Sequence, residues 1–366
     1  MKLVINTTDL KEMVSKAEKG AGNNKLLPIT SLMGIKYDDK LTLTTTDGTN
    51  YLCVTKDVTT GDDLTATEVF NVAVAVDRFA KLIARMTSEK VTLEVMDNAL
   101  QVTGNGTYKI ELPYDENGNV VKYKNPADKL VKSEVLEEGN INVATVKQVI
   151  ASVKPALAVT SEVPCYMNYY VAEKVVGTDT YTIADLENKV FDNPTLVSPE
   201  LMNLVSLTGA VQMAYTIYKD GNIKLVADDC QVYGRCSDGL DEYAINAINK
   251  LLDKDMQSKC EVSKDSLLQL LDRLMLFVTP YDKNGVTLTF TENALLIESL
   301  NFSGTEEIKY LSMANVEQFT CTIDIQILQT QVKASLGSNL EIYWGSNSAI
   351  KLKSGNLSQI LALLGD

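Results

Sequence analysis

The chain has 366 residues, of which 34 are basic, 48 are acidic and none is histidine, so its formal net charge is −14 at pH 7. Without histidine, catalytic triads, HExxH metalloprotease sites and histidine-ligated zinc sites are excluded, and the sequence contains no Walker-type or GxGxxG phosphate loop. No apolar run approaches the ~18 residues of a membrane span, and the amino-terminal residues lack the apolar stretch of a signal peptide, which predicts a soluble cytoplasmic protein.

The first third of the chain alternates helices with strands. A helical spacing of apolar residues begins at Thr7 and ends at Gly20, and a second helical stripe begins near Val76. Alternating strands flank the Asp47–Gly48 turn, and three more lie in residues 90–114. The predicted order is helix, strands, helix, strands.

The same order returns in the second third. A helix ends at Pro155 and is followed by strand-like segments. Ser198 then caps a second helix, and the Asp220–Gly221 turn joins further strands.

The last third repeats the order once more. Ser263 caps a helix, strands follow, and a second helix begins near Asp324 before the final strands. The second helices of the three passes therefore start about 122 and 126 residues apart. We predict an α+β fold of three similar domains, each with two helices backed by antiparallel sheet, with the boundaries 1–125, 126–255 and 256–366. Polar linkers are expected at 117–138 and 251–259.

The six cysteines are scattered, form no CxxC pair and lie mostly in strand-like stretches. This favours reduced thiols in the core over metal or disulfide sites, and no cofactor is expected. Adjacent carboxylates such as Asp228 and Asp229 would point to opposite faces of a strand and would not form an acid–base pair. The sequence therefore predicts no enzymatic activity.

The order and spacing of these patterns resemble the bacterial-type DNA sliding clamp, the β subunit of the DNA polymerase III holoenzyme, over essentially the whole chain. The segments that carry the resemblance are LLPITSLMGIKYDDKLTLTTTDGTNYL, NPTLVSPELMNLVSLTG, CQVYGRCSDGLDEY, KDSLLQLLDRL and GVTLTFTENALLI. The resemblance implies a head-to-tail homodimer of three-domain protomers, closed into a ring with helices inside and sheets outside. Such a ring encircles duplex DNA and tethers a polymerase. The divergence is that expected of a phage or mobile-element version, in a bacterial or phage-infected bacterial cell.

A ring that slides needs basic side chains that attract phosphates without reading bases. Arg78, Lys81 and Arg85 lie on one face of the second helix, opposite its apolar stripe. The complete set of candidates for the DNA channel is Lys11, Lys16, Lys19, Lys25, Arg78, Lys81, Arg85, Lys147, Lys154, Lys264, Arg273 and Lys333. The alternative for each single base is an ordinary solvated helix surface.

Partners of the family, including polymerase and clamp loader, generally insert a short hydrophobic peptide into a pocket near the C-terminus. The resemblance implies that this pocket is lined by Met167 on a strand, Ala184, Leu186, Asn188, Lys189, Tyr243, Ile245, Ile360, Leu361, Leu363 and Leu364. The chain departs from the family after Asp185, where it has LENK in place of glycine, histidine, arginine and leucine. The alternative is that the apolar tail is simply a last core strand.

In the family, an edge strand of the first domain meets the third domain of the other protomer. The resemblance implies that Lys109 and Ile110 face Leu276, Phe277, Glu306 and Glu307 at this contact, where lysine and glutamate have complementary charge.

Two other readings of the sequence stay open. A clamp used in transcription or repair would have the same pattern, and an acidic β-rich structural or ligand-binding protein, such as a virion protein, would not encircle DNA.

Overall fold

A computed structural model of the chain describes residues 2–58, 69–130, 132–315, 317–345 and 348–365. The helices of this part of the chain are α1 (Thr7–Ala17), α2 (Val76–Ala84), α3 (Val143–Val153), α4 (Pro199–Leu207), α5 (Ile245–Leu252), α6 (Lys264–Leu274) and α7 (Ile325–Ala334). Within those ranges, no helix is long and apolar enough to cross a membrane.

Twenty-five strands, all paired antiparallel, lie in the same described ranges, together with short 3₁₀ helices. They are β1 (Lys2–Asn6), β2 (Leu32–Asp38), β3 (Lys40–Thr46), β4 (Tyr51–Asp57), β5 (Phe70–Ala75), β6 (Lys90–Val95), β7 (Ala99–Thr103), β8 (Thr107–Glu111), β9 (Val135–Asn142), β10 (Tyr169–Val171), β11 (Val175–Thr178), β12 (Thr182–Leu186), β13 (Thr195–Val197), β14 (Gln212–Tyr218), β15 (Asn222–Val226), β16 (Cys230–Arg235), β17 (Ser258–Ser263), β18 (Gly285–Phe290), β19 (Ala294–Ser299), β20 (Thr305–Lys309), β21 (Ser312–Ala314), β22 (Phe319–Asp324), β23 (Asn339–Trp344), β24 (Ala349–Ser354) and β25 (Leu357–Ala362).

The predicted order of helix, strands, helix, strands occurs three times, around the pairs α1 and α2, α3 and α4, and α6 and α7. α2 begins at the predicted Val76, and α4 and α7 begin one residue after the predicted Ser198 and Asp324. The Ser263 hydroxyl accepts a hydrogen bond from the Ser266 backbone N–H at 3.3 Å, which confirms the cap of α6.

Both expected linkers are shorter than the sequence predicted. β9 begins at Val135, inside the first one, and α5 takes the start of the second. α5 forms because Ile248 and Leu252, one turn apart on a single face, are buried against β25. A polar linker was therefore the wrong prediction for residues 251 and 252.

Close contacts divide the chain into two compact units, the first made of residues 1–146 and 200–236, the second of 147–199 and 237–366. The first unit contains a four-stranded sheet, β1-β6-β7-β8, and an eight-stranded sheet, β5-β2-β3-β4-β16-β15-β14-β9. α1 packs against α2 and against β3 and β4 of the larger sheet. The three-domain boundaries 1–125, 126–255 and 256–366 stay a prediction.

The second unit contains a four-stranded sheet, β20-β19-β18-β22, and a nine-stranded sheet, β13-β10-β11-β12-β25-β24-β23-β17-β21. Two clusters of buried apolar side chains lie among its described residues. The helix core, under α6 and α7, includes Phe290, Trp344 and Leu361. The tyrosine core, under α5, includes Tyr243 and Ile360. All six cysteines are buried free thiols without a disulfide bond, as predicted.

A buried hydrogen-bond network joins α7 to β25 in the second unit. The Gln359 side-chain amide donates to the Gln331 carbonyl and side-chain oxygens, at 3.0 and 2.9 Å. Its oxygen accepts from the Ser335 hydroxyl at 2.9 Å, and the Gln331 amide donates to the Pro155 carbonyl at 3.1 Å. Gln331 and Gln359 are each 1 % exposed, so water cannot replace these bonds.

Replacement of Gln359 by alanine is expected to lower the free energy of unfolding by about 2–4 kcal/mol, because it leaves buried groups of Gln331 and Ser335 unpaired and opens a small cavity. Urea denaturation of the purified variant measures the change. The matched control is Gln326→Ala on the exposed face of α7, with an expected change of less than about 0.5 kcal/mol. Equal losses in the two variants would show that the network contributes nothing.

Candidate DNA, peptide and subunit interfaces

α2 presents a basic face because its apolar and charged residues alternate at helical spacing. Phe79 and Ile83 are buried, whereas Arg78, Lys81 and Arg85 are exposed. Lys81 forms an ion pair with Asp77 one turn earlier, at 2.6 Å. Neither Arg78 nor Arg85 forms an ion pair or a side-chain hydrogen bond with a described residue. These two guanidinium groups are therefore available for an external anion.

The lysines of α1 and of the segment after it differ from Arg78 and Arg85, because two of them have intramolecular partners. Lys16 pairs with Asp229 at 2.5 Å, so this carboxylate anchors α1 to the turn before β16. The Lys19 ammonium donates to the carbonyl of Leu207 at 3.3 Å. Lys11 is half-buried, and Lys25 is exposed in the loop after α1. The sequence placed these side chains on a helix face, but it did not reveal that two of them have intramolecular partners.

The basic candidates of the second unit also differ in their surroundings. Lys147 and Lys154 are exposed. Lys264 donates to the carbonyls of Lys333 and Ser335 at 3.1 and 2.5 Å, where it caps the end of α7. Lys333 donates to the Gln329 side-chain oxygen at 2.9 Å.

Arg273 forms a two-pronged ion pair with Glu306, through Nε at 2.6 Å and Nη2 at 2.5 Å. This pair joins α6 to β20, and the guanidinium lowers the pKa of the Glu306 carboxyl. Arg273, a predicted DNA contact, and Glu306, a predicted subunit contact, are therefore ion-pair partners within one protomer. The separate roles of Arg273 and Glu306 in DNA binding and in the subunit contact stay predictions.

Several predicted pocket residues belong to the interior. Ala184, Leu186 and Leu361 are 0 % exposed, because β12 and β25 are neighbouring central strands of the nine-stranded sheet. Successive residues of β25 point to opposite faces, so Ile360 enters the tyrosine core and Leu361 the helix core. These side chains cannot line a surface pocket, contrary to the prediction.

Of the remaining predicted residues, Tyr243 belongs to a cluster of aromatic rings, which we call the tyrosine cluster: Tyr166, Tyr170 and Tyr243. The Tyr243 ring meets Tyr166 edge-on at 5.4 Å and Tyr170 at 5.3 Å between centroids. Burial raises the pKa of the Tyr243 hydroxyl, which donates to the Val176 carbonyl at 3.2 Å. Tyr166 and Tyr170 were not among the predicted pocket residues, although the YMNYY run is an unusual density of aromatic side chains.

Several other predicted pocket residues are at least partly exposed. Met167 is 37 % exposed and ends a short 3₁₀ turn, not a strand as predicted. Ile245, at the start of α5, packs half-buried on the tyrosine core. Asn188 is half-buried and Lys189 is exposed, as part of an ion pair with Asp192.

The carboxyl-terminal residues are tied to the second unit. Leu363 and Leu364 are half-buried, and their backbone N–H groups donate to the carbonyls of Ser348 and Thr322 at 3.0 and 2.8 Å. Leu363 packs on the helix core, on the sheet face opposite Ile360. The tail is therefore a continuation of a core strand, which was the alternative left open by the sequence.

Each four-stranded sheet has a free outer strand that carries predicted subunit-contact residues. β8 is the outer strand in the first unit, and β20 in the second. On β8, Lys109 is exposed, but the Ile110 side chain is 2 % exposed and fills its own core. Ile110 can therefore contribute its backbone to a contact, but not its side chain. Glu307 is exposed on β20.

Beside β20 lies an apolar surface that we call the apolar patch: Leu276, Phe277 and Phe302. Their exposed fractions are 80 %, 45 % and 79 %. Phe302 has a φ of +55°, which is uncommon for a bulky residue. The turn that holds it is fixed by the Ser303 backbone N–H, which donates to the Ser299 hydroxyl and to the Asn301 side-chain oxygen, both at 3.1 Å. Leu276 and Phe277 were predicted to be contact residues, whereas Phe302 was not. A backbone strain that keeps a phenyl ring in water points to a binding surface.

Comparison with solved structures finds the same fold in bacterial DNA polymerase subunits. The DNA polymerase sliding clamp of Bacillus subtilis has a TM-score of 0.84 at 16 % identity, over 100 % of this chain and 99 % of that chain. The β subunit of Streptococcus pyogenes DNA polymerase gives 0.83 at 16 %, over 100 % of both chains, and that of Thermotoga maritima gives 0.80 at 15 %, over 100 % and 99 %. No protein-family model and no curated protein sequence matches the chain. The α+β sliding-clamp fold predicted from the sequence is confirmed.

Proposed function

We propose that this protein is a DNA polymerase processivity factor, a ring-shaped sliding clamp that encircles duplex DNA in the bacterial cytoplasm and has no catalytic activity of its own. The observation that carries the proposal is the structural match over 100 % of this chain and 99–100 % of the clamp chains. The exposed guanidinium groups of Arg78 and Arg85 support it, since non-specific DNA affinity comes from such groups.

A threading experiment tests the topological part of this proposal without a clamp loader. Linear duplex DNA with biotin at both ends is incubated with the protein, streptavidin then blocks the ends, and a wash at high salt removes electrostatically bound protein. We expect retention only when streptavidin follows the protein, and release when a restriction enzyme cuts the duplex. Retention that is the same for both orders of addition would exclude encirclement.

We further propose that the ring is a head-to-tail homodimer, in which β8 of one protomer lies beside β20 of its partner. Two features support this contact. Both strands are outer strands with unpaired backbone groups, and an outer strand readily pairs with another chain. The apolar patch next to β20 is the kind of surface that a stable subunit contact buries.

Partner proteins, including a polymerase and a clamp loader, are proposed to bind the second unit through short hydrophobic peptides. The tyrosine cluster with Met167 and Ile245 supports this site, because half-buried aromatic and aliphatic side chains form good anchors for such peptides. The interior positions Ala184, Leu186 and Leu361 contribute the framework beneath it.

Truncation of Met167 to alanine is expected to weaken the binding of a hydrophobic peptide about tenfold, since the side chain offers exposed apolar area beside the tyrosine cluster. Fluorescence anisotropy with a labelled octapeptide that carries leucine and phenylalanine anchors measures the affinity. The control is Tyr181→Ala, which removes a side chain of 66 % exposure at the turn between β11 and β12. A site elsewhere would be indicated if Met167→Ala had no effect.

A further inference from the structure

A cleft of about 590 Å³ lies in the first unit, between the eight-stranded sheet and residues 123–128, a segment that we call the strap. Thr42 and Thr44 of β3 form part of its floor, whereas the alternating Leu41 and Leu43 are buried in the core. The cleft therefore occupies the sheet face that is turned away from the core and from α1. None of the functions proposed above uses this face.

The strap is held in place over the sheet. The Tyr123 hydroxyl lies 2.7 Å from the carbonyl oxygens of both Ile29 and Leu32. The Asn71 side-chain amide donates to the Tyr123 carbonyl at 3.1 Å. The Tyr123 ring covers Gly34 so closely that a Cβ there would lie 2.8 Å from ring carbons. Glycine at this position therefore lets the strap form one wall of a preformed cleft.

The floor is polar and has unused hydrogen-bonding capacity. The hydroxyls of Thr42 and Thr55 lie 3.3 Å apart, and the Asn71 side-chain oxygen is buried without a hydrogen-bond partner among the described residues. Such an acceptor costs about 1–3 kcal/mol when no donor reaches it. Burial raises the pKa of the Cys53 thiol, also on the floor, to about 11, so this group stays neutral.

The charges around the cleft are mainly positive, in a chain that is strongly acidic overall. Lys36, Lys124 and Lys224 line it, against the single carboxylate of Asp128. Lys36 pairs with Asp38, and the Lys224 ammonium lies 5.9 Å from the centroid of the Tyr233 ring. Lys124 is exposed and has no ion pair within the described part of the chain. An anion in the cleft would meet at least two ammonium groups whose charge is not already neutralised.

We propose that this cleft binds a small phosphate monoester with a hydroxyl-bearing body, the chemistry that nucleotides and sugar phosphates share. The phosphate would lie between Lys124 and Lys224, because ammonium groups bind phosphate as point charges. A hydroxyl of the body would donate to the unpartnered Asn71 oxygen. The cleft volume lies within the range of small-molecule sites, and its polar lining does not suit an apolar peptide.

Isothermal titration calorimetry on the full chain tests the proposal with adenosine 5′-monophosphate, ribose 5-phosphate, adenosine and inorganic phosphate. At least one of the two esters is expected to bind at least about tenfold more tightly than adenosine and inorganic phosphate. A preference for the nucleotide over ribose 5-phosphate identifies a nucleotide site, and equal affinity identifies a sugar phosphate site.

The double variant Lys124→Glu, Lys224→Glu is expected to weaken ester binding more than about tenfold, and Asn71→Leu to weaken it about fivefold. The control, Lys122→Glu with Lys132→Glu, reverses two exposed lysines that do not line the cleft and should change affinity less than about twofold. The proposal is overturned if neither ester binds, if inorganic phosphate binds as tightly as the esters, or if the control weakens binding equally.

Discussion

Replacement of both Leu276 and Phe302 by aspartate is expected to convert the proposed head-to-tail dimer into monomers. Burial of each apolar side chain contributes about 1.5–3 kcal/mol, and a head-to-tail ring contains the contact twice. The dimer dissociation constant should therefore rise more than about a thousandfold, since introduced carboxylates would also have to lose their hydration. Sedimentation velocity across a range of protein concentrations measures the change.

The matched control for this variant is Val159→Asp with Tyr181→Asp, which changes two side chains of 87 % and 66 % exposure elsewhere in the second unit. It should stay dimeric. Both variants should keep a folded protomer with an unchanged circular dichroism spectrum, because all four side chains are mainly in water within one protomer, whereas loss of the subunit contact should lower the unfolding temperature of the first variant alone. A dimer that persists in the first variant would show that the subunit contact does not involve the apolar patch.

The repeat of helices and strands could be read from the sequence because most of these elements are buried on one side only. Val91 and Leu93 of β6 alternate with polar residues, and the apolar stripes of α1, α2 and α6 match the buried residues of the structure. Turn residues with positive φ, such as Gly48 and Gly221, mark the hairpins. Local pattern and tertiary structure agree in these segments.

Elements buried on both faces could not be assigned in this way. Every residue of β12 is buried, and five of the six in β25 are, so neither strand shows a period of two. The sequence therefore did not reveal that Ile360 and Leu361 serve different cores. The burial pattern of β2 also lacks a strict period of two, because the strap covers Gly34 on the outer face of this strand.

The candidate basic residues show a second limit of prediction from the sequence. A helix face can be predicted from spacing, but the partner of a lysine can lie anywhere in the chain. Lys16 and Asp229 are 213 residues apart, and Arg273 and Glu306 are 33 apart. Once these contacts are known, the candidates separate into bases that stabilise the fold and bases that are open to an external anion. Arg78 and Arg85 belong to the second kind.

This separation predicts a large difference in DNA affinity between two double variants that change the net charge of the chain by the same amount. Arg78→Glu with Arg85→Glu is expected to weaken the equilibrium binding of a short duplex at low salt at least tenfold, or about 1.4 kcal/mol, because two phosphate contacts are replaced by repulsion. The slope of the logarithm of affinity against the logarithm of salt concentration should fall by about two for each protomer. Fluorescence anisotropy at several salt concentrations gives both quantities.

The matched control is Lys122→Glu with Lys129→Glu, which reverses two exposed lysines immediately before and after the strap. If DNA attraction depended on net charge alone, the two double variants would lose affinity equally, since each changes the charge of the chain by the same amount. If it depends on where the charge lies, only the α2 variant loses affinity and salt dependence. A chain of net charge −14 repels DNA at long range, so it can bind this polyanion only through positive charge that is concentrated on one surface. Equal losses in the two variants would therefore contradict the assignment of the α2 face to DNA.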